Sequence, residues 1–339
     1  MISRFWKKFR VRDHKLEFCL LLLLIPVVFA AIFFFASTQH LRIEARTASA
    51  EVEISPGRPI AWAMDRALLL ECSQLARIAA RSRERTTKVP QEQIADGAEI
   101  ELAAIEADGG KRLSTVRARV SLHGDGVVVE LVAKTKLDGK ATENAPGCSE
   151  DTSRVAVLDT GDGKRRGVRL PAQFHLKGAS IGNGLTLEFR GDLLIGNDLT
   201  GGRQPLLTSG RLTFREVRSS WAQTFADAQF DIESRDLGLG DKVTINAKSG
   251  GDSSENASQG FLHIVRGQGS PEMSVYATAA ASHTVIVRPF SLPEKPKANW
   301  FRRLLADEMI GKLAAILAFM VSAISLYFGY LQLKASARE

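Results

Sequence analysis

"VRARVSL" (Val116–Leu122) sets Val116, Ala118, Val120 and Leu122 on one side of an extended chain and Arg117, Arg119 and Ser121 on the other. Successive side chains of a strand point to opposite faces, so this alternation predicts a strand with one buried face. His123-Gly124-Asp125-Gly126 follows as a turn, and "VVVELVAKTKL" (Val127–Leu137) returns. Strand, glycine-containing turn and strand together predict an antiparallel hairpin.

The same period continues outward. Val168, Leu170, Ala172, Phe174 and Leu176 keep one parity, opposite Arg169, Gln173, His175 and Lys177. Leu185, Leu187 and Phe189 alternate with Thr186, Glu188 and Arg190. Ala228, Phe230 and Ile232, and then Val243, Ile245 and Ala247, repeat the pattern. Half-buried strands of this kind, separated by Gly, Asn and Asp, predict a mainly β fold: an antiparallel β-sandwich or jelly-roll, with a β-solenoid as the alternative. No strict repeat period supports the solenoid. Upstream, Pro59 to about Arg85 is rich in Ala and Leu, which predicts a helix over about 60–85, with a strand pair through "RALLLEC" as the alternative.

Two uncharged runs of 19 residues flank this β-rich region. Phe18–Ala36 and Leu313–Leu331 are each long enough, at 1.5 Å rise per residue, to cross a bilayer core. The first run exceeds the 7–15 residues of a secretory h-region, so it reads as an uncleaved signal anchor and not as a signal peptide. The expected order is therefore a short basic interfacial and cytoplasmic segment (1–15), a first transmembrane helix (16–36), an exposed β-rich domain (37–290), a Pro-rich tether with a juxtamembrane segment (291–312), a second transmembrane helix (313–331) and a cytoplasmic tail (332–339).

Charge sets the orientation. Arg4, Lys7, Lys8, Arg10, Arg12 and Lys15 precede the first span, which places the N-terminus in the cytoplasm. Lys295, Lys297, Arg302, Arg303 and Lys312 precede the second span and argue the other way, but the first helix usually dominates. Both ends are then cytoplasmic and the domain between them is periplasmic; the excess of Arg (29) over Lys (16) points to a GC-rich bacterial genome and an inner-membrane anchor. Phe5, Trp6 and Phe9 form one apolar helical face at the N-terminus, and Trp300, Phe301, Tyr327 and Tyr330 bracket the second span; all seven read as membrane-interface residues. Ala314, Ala318, Ser322, Ser325 and Gly329 form a stripe of small residues where another helix could approach. The partners implied are the lipid bilayer, other membrane or envelope proteins, and a second copy of the chain.

Net charge is +7, but residues 40–298 hold 34 basic and 33 acidic side chains. A nucleic-acid binder needs a basic face on its folded domain, so nucleic acid is excluded as a partner. Cys72 and Cys148 fall in the exposed domain and form a candidate disulfide pair in an oxidising compartment, with two unrelated thiols as the alternative.

Catalytic motifs are thin. "GASIG" (Gly178–Gly182) has the spacing of a nucleophile elbow around Ser180, the weak candidate for a catalytic residue. An elbow needs a helix after the serine, whereas the "LTLEFRG" that follows alternates as a strand. "TGDGKRRG" (Thr160–Gly167) lacks the first glycine and the hydroxyl residue of a phosphate loop and reads as a turn. The six histidines show no metal-ligand spacing, and neither a metal nor a cofactor is expected. Trp62, Trp221 and Tyr276 are the aromatic residues left to stack on a sugar, with core packing as the alternative. The expectation is a non-catalytic scaffold or accessory subunit of an envelope complex for polymer export, secretion or morphogenesis. The alternatives are a ligand sensor acting through its transmembrane helices and a serine hydrolase using Ser180.

Overall fold

A computed structural model describes residues 37–336 apart from 55–58, 82–91, 95, 107–111, 138–139, 144–154, 178–180, 182–183, 197–206, 219–228, 247–257 and 268–269. The first strands are β1 (Ser37–Thr47), β2 (Ser49–Ile54), β3 (Ile60–Ala63) and β4 (Leu68–Leu70), followed by helix α1 (Cys72–Arg81). Next come β5 (Glu92–Gln93), β6 (Glu99–Leu102), β7 (Ile105–Glu106), β8 (Arg112–His123), β9 (Gly126–Leu137) and β10 (Lys140–Glu143). The middle of the chain forms β11 (Ala156–Asp159), β12 (Arg165–Gly167), β13 (Ala172–Lys177), β14 (Leu185–Ile195) and β15 (Leu207–Arg218). Strands β16 (Gln229–Leu237), β17 (Lys242–Ile245), β18 (Ser258–Arg266), β19 (Pro271–Ala280) and β20 (Thr284–Val287) complete the β part. Helices α2 (Trp300–Ala306) and α3 (Glu308–Ser336) end the chain.

The protein is mainly β, as the alternation predicts. One sheet of 16 strands runs in the order β16-β15-β1-β19-β18-β14-β2-β8-β9-β13-β4-β5, with β7, β10, β17 and β20 paired to its members. A second sheet has four strands, β12-β11-β6-β3. The registers among the described residues are antiparallel, from β1 on β19 to β8 on β9, whereas a solenoid stacks its strands in parallel. The opening hairpin closes with His123 opposite Gly126, and Gly124 takes the positive φ of 57° that this two-residue turn requires.

Two compact units divide the chain: Met1–Gln39, Phe214–Glu233 and Ala298–Glu339 make one, and His40–Thr213 with Ser234–Lys297 make the other. In the larger unit the inward parity of each strand is apolar. Leu41 and Ile43 of β1, Val116, Ala118 and Val120 of β8, and Val127, Val129 and Leu131 of β9 are buried. Val168, Leu170, Ala172, Phe174 and Leu176 are buried without exception, as their parity predicts.

The Ala- and Leu-rich stretch departs from expectation. Helix α1 covers only Cys72–Arg81, and Ile60–Ala63 and Leu68–Leu70 are strands. Alternation overrides helix propensity here: Ile60, Trp62 and Met64 are buried while Ala61 and Ala63 are exposed. The alternative strand at "RALLLEC" is the one the structure adopts, in part.

Helix α3 carries the second hydrophobic run and is 29 residues long. Among the described residues, no helix is long and apolar enough to cross a membrane. Residues 16–36, the first run, lie outside the described residues, as do Phe5, Trp6 and Phe9.

Candidate functional site

Strand chemistry builds a polar cleft on the outer face of the large sheet. In β1, Leu41, Ile43, Ala45 and Thr47 point inward, so Arg42, Glu44 and Arg46 point outward. In β19, Met273, Val275 and Ala277 are buried, which turns Ser274, Tyr276 and Thr278 outward. Register then aligns them: Glu44 lies opposite Tyr276, Tyr276 opposite Phe261 of β18, and Phe261 opposite Glu188 of β14. Four outward side chains therefore form one row across four strands.

Phe261 and Tyr276 stack with ring centroids 4.9 Å apart at 27°, and both remain exposed. Beside Tyr276 a cleft of about 360 Å³ is bounded by Glu44, Arg46, Ser209, Arg211 and Asp236. Gly210 lets β15 approach β1 closely, because a Cβ there would sit 3.0 Å from the Glu44 carbonyl oxygen and 3.1 Å from the Ala45 Cβ. Arg42 pairs with Glu44 at 2.5 Å and Arg211 with Asp236 at 3.7 Å. No ion pair engages the exposed Arg46 guanidinium among the described residues. The cleft thus offers two carboxylates, two guanidiniums and the hydroxyls of Ser209, Ser274 and Tyr276, a set suited to holding a small polar molecule. His263 shares a 3.1 Å hydrogen bond through Nδ1 with the Thr186 hydroxyl, and no hydrogen bond joins it to Ser274, its cross-strand neighbour.

A second constellation occupies the smaller unit. The inward parity of β15 begins as Leu212 and Phe214 and ends as Glu216 and Arg218, so the buried face changes from apolar to ionic along one strand. Glu216, Arg218 and Asp307 are only 1%, 4% and 3% exposed. Arg303 of α2 grips Glu216 with two bonds, Nε to Oε2 at 2.5 Å and a terminal nitrogen to Oε1 at 2.9 Å. Arg218 pairs with Asp307, the residue that ends α2, and its guanidinium lies 4.7 Å from the Phe230 ring centre. Arg302 reaches the buried Glu233 carboxylate at 3.5 Å. Asn299 caps the helix, its side-chain oxygen accepting from the Phe301 amide at 2.9 Å.

The other candidates fall as follows. Ser180 lies outside the described residues; Ile181, next to it, is helical, and strand β14 begins at Leu185. Within Thr160–Gly167, Thr160–Lys164 is the turn joining β11 to β12 and Arg165–Gly167 is β12, with Asp159 opposite Arg165. Its Asp162 carboxyl is held down at about 2 by hydrogen bonds from the Thr160 hydroxyl and from Lys164. Cys72 opens α1 and is buried; Cys19 and Cys148 lie outside the described residues. His175 is half-buried, and desolvation with a nearby His123 holds its pKa below the ordinary value. Among the described residues no group of three or more His, Cys, Asp or Glu is placed to hold a metal ion.

Of the three stacking candidates, Tyr276 stands in the cleft, Trp62 is buried and Trp221 lies outside the described residues. Phe261 escaped the sequence reading, although the parity of "GFLHIV" turns it outward beside inward Leu262 and Ile264. The ionic set escaped it too. Its signal was the placement of Glu216 and Arg218 in phase with Leu212 and Phe214.

On the described α3, Ala314, Ala318, Ser322 and Ser325 are exposed and Gly329 is partly so. Phe301, Tyr327 and Tyr330 are exposed; Trp300 belongs to α2, and its side chain is outside the described set. Compared with known proteins, the chain matches no family model, no curated protein and no solved structure.

Proposed function

We propose that this chain is a non-catalytic inner-membrane protein, anchored at both ends, whose β-rich periplasmic domain is a scaffold or accessory subunit of an envelope complex for polymer export, secretion or morphogenesis. In that reading the two sheets form its sandwich-like body. The ion network on α2 carries the proposal. Charges buried there fix a short helix to β15 and β16 immediately before the hydrophobic run of α3. Burying ion pairs costs desolvation, and the return is one defined arrangement in place of several. A rigid mount for the segment that follows it is what an anchored scaffold requires.

The same contacts bear on orientation. Arg302 and Arg303 pair with Glu233 and Glu216 in the fold. The proposed orientation, with both termini cytoplasmic, rests on the basic N-terminus, since the first helix usually dominates. Ile316, Phe319, Leu326, Tyr327 and Leu333 stand exposed on α3, as side chains facing lipid would. Ser322 and Ser325 donate their hydroxyls to the carbonyls of Ala318 and Val321 at 2.9 Å, which satisfies them in an apolar medium. In this reading Cys72 and Cys148 form a disulfide, as an oxidising periplasm allows. Gentle affinity purification of the tagged full-length chain from its own membranes is expected to return the same partner proteins at fixed ratio. A chain that elutes alone, as a monomer or homo-oligomer, overturns the accessory-subunit reading.

One observation favours a second reading, a sensor of a small polar ligand, and it is the cleft at Tyr276. That reading expects a small molecule to co-purify with the full-length protein and to be absent from Tyr276→Ala. Native mass spectrometry distinguishes the two, and an identical ligand-free mass for both proteins rejects it.

A further inference from the structure

The turn that follows β20 exposes two large apolar side chains two residues apart, Phe290 and Leu292. Arg288 to Ser291 closes on itself, the Ser291 amide donating to the Arg288 carbonyl at 3.1 Å. Pro289 and Phe290 are the two central residues of that turn, and Phe290 adopts φ 61°. Proline first and a positive φ second is a type II pattern, whose second central position ordinarily takes glycine or asparagine. A phenylalanine there is strained and, in this turn, fully exposed; Leu292, two residues on, is 87% exposed. Strained backbone persists where the surrounding structure enforces it, and it clusters at sites of function.

The surroundings are built for one partner. Ile286 and Glu294 exchange two backbone hydrogen bonds of 2.8 Å, so the segment is a braced loop and not a loose tether. Strand β17 pairs with β20, Lys242 opposite Val287, which sets the exposed Leu239 in the turn leading into β17 at the same end of the pair. Lys242, Arg288 and Lys295 are carried by the same end of this pair and have no ion-pair partner among the described residues, whereas Glu294 is engaged by Arg235 at 3.6 Å. Exposed apolar side chains with basic residues nearby match the boundary between acyl chains and anionic headgroups.

We infer that the Phe290–Leu292 turn is an interfacial lipid anchor, inserting Phe290 and Leu292 at the headgroup level of an anionic bilayer. The inference rests on the membrane reading above, in which the second span begins at Leu313. A protein partner for the same tip is an alternative outcome of the test. The full-length protein, with Cys19→Ser to remove the cysteine of the first run, is placed in nanodiscs of phosphatidylcholine and phosphatidylglycerol. A bimane fluorophore is attached at Ser291→Cys in one sample and at Phe319→Cys in another, and quenching by doxyl-labelled lipid is compared with quenching by aqueous iodide.

The expected result is strong lipid quenching at both positions: by a shallow doxyl group at 291 and by a deep one at 319. Phe290→Ser with Leu292→Ser should reduce the lipid quenching at 291 severalfold and restore iodide access, while 319 stays unchanged. Raising the phosphatidylglycerol fraction should increase quenching at 291, and high salt should reverse that increase. Lipid quenching at 319 with iodide quenching at 291 overturns the anchor and leaves the second span standing. Protection of 291 from both quenchers also overturns it, in favour of a protein contact. Iodide quenching at both positions overturns the span and the anchor together.

Discussion

Asp307→Ala is expected to destabilise the smaller unit by about 3–5 kcal/mol, because it leaves Arg218 buried with its carboxylate partner removed. Both side chains of this pair are 3% exposed, so water cannot replace the lost partner without opening the structure. The effect is asymmetric. Replacing both members, Arg218→Met with Asp307→Leu, is expected to return most of the loss, since apolar groups of similar size often substitute for a buried pair at little cost. Urea unfolding of the full-length chain in nanodiscs, followed by circular dichroism, completes the double-mutant cycle. A loss under about 1 kcal/mol for Asp307→Ala would place the pair in the range of solvent-exposed ion pairs and remove the rigid mount from the functional argument.

That network also shows where sequence reading reached its limit. Local alternation identified the strands because each residue's face depends only on its own strand, and Val116–Leu122 or Phe174–Leu176 needed no distant information. Glu216 and Arg303 are 87 residues apart, and nothing in either segment names the other. Read along the sequence, Arg302 and Arg303 are flanking charge; in the fold they pair with Glu233 and Glu216. The cleft was half-legible: parity turned Tyr276 and Phe261 outward, but bringing Glu44 beside Tyr276 required pairing the first strand with the nineteenth. Ile60–Ala63 was misread because Ala and Leu weigh toward helix in isolation, while packing rewards Ile60, Trp62 and Met64 for sharing a face.

Trp62→Ala carries the largest expected effect in the larger unit, about 3–5 kcal/mol, the range for removing a buried aromatic side chain. Trp62 is 1% exposed and sits on β3, an edge strand of the four-stranded sheet. Its indole Nε1 donates to the Glu188 carbonyl of β14, in the 16-stranded sheet. One side chain therefore both fills the space between the two sheets and bonds across it. Trp62→Phe separates these contributions: it keeps much of the apolar volume and loses the donor, so it is expected to cost roughly 1–3 kcal/mol. Because the indole bridges the sheets, the loss should be felt unevenly. Hydrogen exchange is expected to accelerate in β3, β6 and β11 well before it does in β8 and β9, whose long hairpin pairs independently of Trp62. Uniform acceleration across both sheets would instead mean that they unfold as a single cooperative body, with Trp62 contributing to global stability alone.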